Sequence, residues 1–127
     1  ERATAADLNS IEAAYQGMKT AIEDGGDYVT HDLRFHQGLL RACRNRMLVQ
    51  MSKALSALLR TSFELSTSRK DGPLGSLPLH RAVLDAVIDH DGARALLHNR
   101  VGVHALVAER DQRLWRTPGM AAALLAA

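Results

Sequence analysis

The sequence predicts an all-α protein, an antiparallel bundle of about six helices, on three observations. Ala and Leu are abundant, while aromatic residues make up only 4% of the chain and β-branched residues are sparse, a bias that favours helix over strand. Apolar residues recur at helical spacing along most of the chain. Capping residues, Gly and Pro fall at the junctions between those runs.

The elements follow in order. Thr4 stands before Ala5, Ala6 and Asp7, an N-cap with an acidic third residue. The helix it opens carries Leu8, Ile11, Ala14, Tyr15, Met18 and Ile22 on one side, and Gly25 and Gly26 end it. Asp27 caps a second helix over about 28–43, which stops near Asn45. A third covers about 46–67 through Leu48, Met51, Leu55, Leu58, Leu59, Phe63 and Leu65. The stretch from Ser66 to Pro78, rich in Ser, Gly and Pro, reads as the one long loop. A fourth helix takes about 77–90, and Asp91 caps a fifth that reaches about Trp115. Thr117, Pro118 and Gly119 break it, leaving 116–127 as an extra C-terminal helix.

The 127 residues suit one domain, 1–127, with no shift of composition to mark a second. The start reads as truncated, since it lacks Met and opens inside helical sequence. No apolar run approaches the length of a membrane span, and the N-terminus lacks the pattern of a signal peptide. Sixteen basic against 14 acidic residues give a net charge of +2, too balanced to argue for nucleic acid binding by this chain. Arg41, Arg44 and Arg46, the densest basic cluster, read as a solvated helix end. The lone Cys43 excludes an internal disulfide and suits a reducing cytoplasm.

The six histidines carry the chemistry. Asp32 and His36 are four apart and so share a helix face. That face also holds Phe35, Leu39, Leu40 and Cys43, while Arg34, Gln37, Arg41 and Arg44 lie opposite. A carboxylate and an imidazole are thus aimed at the core, where an unpartnered carboxylate costs several kcal/mol. His80 sits on the stripe of Val83, Leu84, Val87 and Ile88, and His104 on that of Ala93, Leu97, Val101, Val107 and Ala108. His98 flanks the latter stripe, and His31 and His90 are expected to be exposed. Each alone reads as a core histidine bonded to a carbonyl. Together, one Asp and three His on three helices form a donor set suited to zinc, with nickel or manganese as alternatives.

The run D-L-R-F-H-Q-G-L-L-R-A-C-R-N-R-M-L (Asp32 to Leu48), the run L-H-R-A-V-L-D-A-V-I-D-H-D (Leu79 to Asp91) and the opening Glu1 to Leu8 resemble the FCD domain. This is the C-terminal effector-binding domain of the FadR subfamily of GntR transcription regulators, and the resemblance covers roughly residues 1–115. It implies a helical bundle with a central cavity, a divalent metal held by one Asp and three His, and a small carboxylate or sugar-acid effector at or beside that metal. It also implies a homodimer that touches DNA only through an N-terminal winged helix-turn-helix head missing from this sequence. Asp32, His36 and His80 match the implied ligand positions. The third histidine's position falls on Gly102, so His104, two residues on, is the expected ligand and His98 the fallback. Arg60 and Thr61 are the expected effector contacts, with a solvated surface charge as the other reading of Arg60.

Two rival readings accompany this one. The pairs His31 with Asp32 and His90 with Asp91 invite comparison with HD-type metal phosphohydrolases, which ligate through the dipeptide itself. The opposed directions of the two members argue against that, and an enzyme is not expected. A metal-free dimerisation bundle is the other, and Gly102 would suit it.

Overall fold

The computed structural model describes residues 3–54, 56–67 and 72–98. They form five helices, α1 (Ala5–Asp24), α2 (Tyr28–Ala42), α3 (Arg46–Ala54), α4 (Ser56–Thr67) and α5 (Gly72–Ile88), followed by a helical stretch over 92–98. No strand occurs among the described residues. The rest of the expected fifth helix, with Gly102 and His104, and the tail 116–127 lie outside them.

Local chemistry sets the ends. The Thr4 hydroxyl accepts from the Asp7 N–H at 3.3 Å and the Asp7 carboxylate accepts from the Thr4 N–H at 2.9 Å, a reciprocal capping box. Gly25 ends α1 at φ +74°, a conformation that glycine adopts without steric cost. Asp27 then accepts from the Thr30 N–H at 2.9 Å and starts α2. Asn45 caps α3 through the N–H groups of Met47 and Leu48. At the end of α5 the Asp91 N–H reaches the Ala86 carbonyl at 2.8 Å, with His90 left-handed at φ 57°. Asp91 in turn accepts from the Arg94 N–H at 2.9 Å and caps 92–98.

The four helices α1, α2, α4 and α5 alternate in direction. α1 and α2 run antiparallel and close: a Cβ on Gly38 would lie 2.8 Å from Ile11 Cγ1, and one on Gly17 would land inside the His31 ring. α4 returns along α2, linked by Gln37 to Ser56 at 3.1 Å and by Arg60 to Thr30 at 2.7 Å. α5 runs parallel to α2, since Tyr28 meets Ser76 and Asp32 meets His80, each pair 48 residues apart. Arg81 of α5 bonds Glu12 of α1 at 3.0 Å and lies over the Tyr15 ring. This is the up-and-down arrangement that short connections impose on helices.

Among the described residues the core lies between α1, α2 and α5 and includes Ile11, Ala14, Met18, Tyr28, Phe35, Ala42, Val83 and Leu84. Asp32, 5% exposed, sits among them.

Four local expectations are corrected. The long loop at 66–78 is helix at 66–67 and again from Gly72, because a proline early in a helix leaves no N–H to be missed. Cys43 is exposed, since the buried side of α2 runs through Tyr28, Asp32, Phe35, Gly38 and Ala42. His31 is half-buried against Gly17, whose missing side chain makes room for it. Met51, Leu58, Ile88 and Leu97 are exposed although each was placed on an apolar stripe.

Candidate metal centre

α2 and α5 build the centre from matching turns. Tyr28, Asp32 and His36 succeed one another on one side of α2, as Ser76, His80 and Leu84 do on α5. The parallel register sets Asp32 against His80, and His36 reaches the same carboxylate from one turn further along α2. Asp32 Oδ1 lies 3.0 Å from His80 Nε2 and 3.3 Å from His36 Nε2.

Phe35 closes the site on the core side. Its ring stands edge-on to His36 at 5.7 Å and to His80 at 5.0 Å between centroids, and the two imidazoles are 5.4 Å apart. With Phe35 fully buried, these contacts fix ring planes as well as positions.

Burial by itself would push the Asp32 carboxyl up. Hydrogen bonds and charge from His36 and His80 more than offset that and hold it at about 2. Asp32 is therefore an ionised carboxylate inside the core at neutral pH.

The hydrogen-bond inventory at His80 is informative. Its Nδ1 lies 2.9 Å from the Ser76 carbonyl, an acceptor only, so Nδ1 carries the hydrogen. A neutral ring then presents the bare Nε2 lone pair to the Asp32 carboxylate at 3.0 Å. Two acceptors at that distance require a positive centre between them, either a second ring proton or a metal ion. The donor set fits a metal. The three ligand atoms all lie within 4.8 Å of one another, and ligand atoms about 2.1 Å from a tetrahedral ion sit about 3.4 Å apart. A ligating imidazole held by its other nitrogen on a carbonyl is also the usual arrangement in metal sites.

Among the described residues Asp32, His36 and His80 are the group that converges. His104 lies outside the described residues. His98 is half-buried at the end of the 92–98 stretch. Arg60 bonds Thr30 at the start of α2 and pairs with Glu64 at 3.5 Å, while Thr61 is exposed and donates to the Ala57 carbonyl at 3.2 Å. The members of each His–Asp pair part company: His31 packs on Gly17 while Asp32 faces α5, and His90 is exposed while Asp91 caps a helix. A cleft of about 410 Å³ between Asp7, Arg41, Arg44, Arg46, Val49 and Gln50 includes none of the three.

Sequence reasoning missed Tyr28 and Ser76. Tyr28 was simply the first residue of a helix and Ser76 lay in the expected loop. The signal that finds them is spacing, since each stands four residues before a residue of the centre.

Fold and site together define an all-helical domain with a carboxylate–imidazole centre in its core. The chain belongs to the FCD domain family, which its residues 1–100 match. Over 96 residues it is 34% identical to the galactonate operon transcriptional repressor of Escherichia coli strain K12, a match taking in 75% of this chain and 42% of that protein. The matched segment thus spans less than half the length of that relative.

Proposed function

We propose that the chain is the ligand-sensing and dimerisation domain of a GntR/FadR-type transcription regulator, with a divalent metal, zinc foremost, in the bundle core. The observation that carries this reading is the convergence of His80 Nε2 and His36 Nε2 on the buried Asp32 carboxylate. On this reading Asp32, His36 and His80 are three ligands and His104 is the fourth, with His98 in its place if His104 stands elsewhere. The metal, when bound, supplies open positions for hard oxygen donors. A carboxylate with a neighbouring hydroxyl is such a ligand, and the relative's name links it to an operon for a sugar acid. A small carboxylate or sugar acid is accordingly the effector class, and Arg60, with Thr61 beside it, is the cation on α4 assigned to it.

Regulation follows from linkage. An effector that binds one arrangement of the bundle better than another shifts the population toward it. In a homodimer this changes the spacing of the DNA-binding heads that the rest of such a protein carries. The protein works in the cytoplasm, and no helix among the described residues is long and apolar enough to cross a membrane.

Metal analysis of protein purified without chelator tests the reading. About one ion per chain is expected, lost in Asp32→Ala and His80→Ala, with galactonate bound only by the loaded form. Metal-free protein that cannot be loaded would favour a purely structural bundle. His104→Ala and His98→Ala, compared by zinc affinity, identify the fourth ligand.

A further inference from the structure

We infer that Tyr28 and Ser76 form a clamp between α2 and α5 that positions His80 for metal binding. The inference rests on the metal reading above and adds two residues outside the group of Asp32, His36 and His80.

A chain of polar contacts supports it. Ser76 Oγ donates to the Pro73 carbonyl at 3.1 Å, which commits the hydroxyl hydrogen. The Tyr28 hydroxyl, 2.7 Å from the same oxygen, is therefore the donor in that pair. The Ser76 carbonyl receives the His80 Nδ1–H at 2.9 Å. One residue thus takes the tie from α2 on its side chain and orients the imidazole with its backbone.

Pro78 explains the need for a tie. It lies inside α5 and has no N–H to give the Leu74 carbonyl, so the first turns of the helix are bound less firmly to the remainder. Ser76 belongs to those turns. Tyr28, 6% exposed, holds them from α2, four residues before Asp32. Tyr28 with Ser76 and Asp32 with His80 are successive rungs of one register, so the first rung fixes the height of the second. Loss of the tie lets the Ser76 carbonyl move and frees the ring to turn or exchange tautomers.

Cobalt and zinc titration of the full chain tests the clamp, with Tyr28→Phe, Ser76→Ala and the double variant. Loss of a partner that orients a metal ligand weakens metal binding by about 10- to 100-fold. Each single variant should fall in that range and change the visible spectrum of bound cobalt, while helicity stays at the parent level. The double variant should be no worse than the weaker single one, because the two residues act through one bond. Ser76→Thr, which keeps the oxygen, should bind as the parent does. Parent-like affinity and an unchanged cobalt spectrum in both single variants would overturn the clamp. If the parent takes up no metal, the metal reading fails by itself. The clamp is then read from the ¹⁵N imidazole spectrum of His80 in the metal-free chain. The Nδ1–H held on the Ser76 carbonyl should exchange slowly with solvent in the parent and faster in the variants, and equal exchange rates would overturn the proposal.

Discussion

Phe35 shows how one residue serves both packing and chemistry. It has no exposed surface and sets its edge-on ring against both imidazoles of the centre. Phe35→Ala should lower unfolding free energy by about 3–5 kcal/mol in urea melts, the usual cost of emptying a buried aromatic site. Phe35→Leu should recover most of that stability yet still weaken zinc binding, because a leucine fills volume without fixing ring planes. Equal zinc affinity in Phe35→Leu and the parent would limit Phe35 to packing. At this scale the sequence was legible wherever polarity conflicted with position. Asp32, His36 and His80 stand out because titratable groups rarely lie on an apolar stripe without a partner. Tyr28 and Ser76 do not stand out, because a tyrosine near a helix start and a serine near prolines both have ordinary local explanations.

Helix directions and caps were legible for a related reason: Thr4, Asp27 and Asp91 act within three residues of themselves, so their bonds can be read without the fold. The start of α5 was not, because Gly72, Pro73 and Pro78 break helices on average but are tolerated here by position and by contacts with α2. The α1–α2 contact yields a sharp prediction. Any side chain at Gly17 meets the His31 ring, so Gly17→Ala should destabilise by about 1–3 kcal/mol despite its better helix propensity. Adding His31→Ala should return most of that loss, and a thermal-melt cycle in which the two changes merely add would disprove the contact. The α1 cap predicts a pH dependence. Hydrogen bonds from the Thr4 side chain and backbone, with the Arg44 charge, hold the Asp7 carboxyl below its usual 3.8. A carboxyl depressed in the folded state stabilises above its unfolded value and loses that contribution as pH falls. The stability gap between parent and Asp7→Ala should therefore be present at about pH 6 and narrow toward about pH 3, measured by urea midpoint.

At the scale of the whole, the described residues build a small core with a charge inside it. Among the described residues, eight buried apolar side chains from α1, α2 and α5 form a cluster beside a buried carboxylate, and two imidazoles from different helices converge on it. Whatever positive centre sits there joins α2 to α5, so occupancy and stability are linked. If that centre is a metal, free ion at about 100 times its dissociation constant adds about 2.7 kcal/mol to unfolding free energy. For a domain of this length that is a rise of about 10 °C in melting temperature, reversed by chelator. The rise should vanish in Asp32→Ala and in His80→Ala, which remove ligands from either side of the join. It should also shrink on acidification, because metal binding competes with protons for the ligand atoms. A surface-bound ion would behave differently, giving the same rise in both variants. A proton at the centre in place of a metal reverses the pH trend of the α2–α5 join, since acid then supplies the shared hydrogen. Melting curves with and without zinc at two pH values therefore separate the alternatives by the sign of the change.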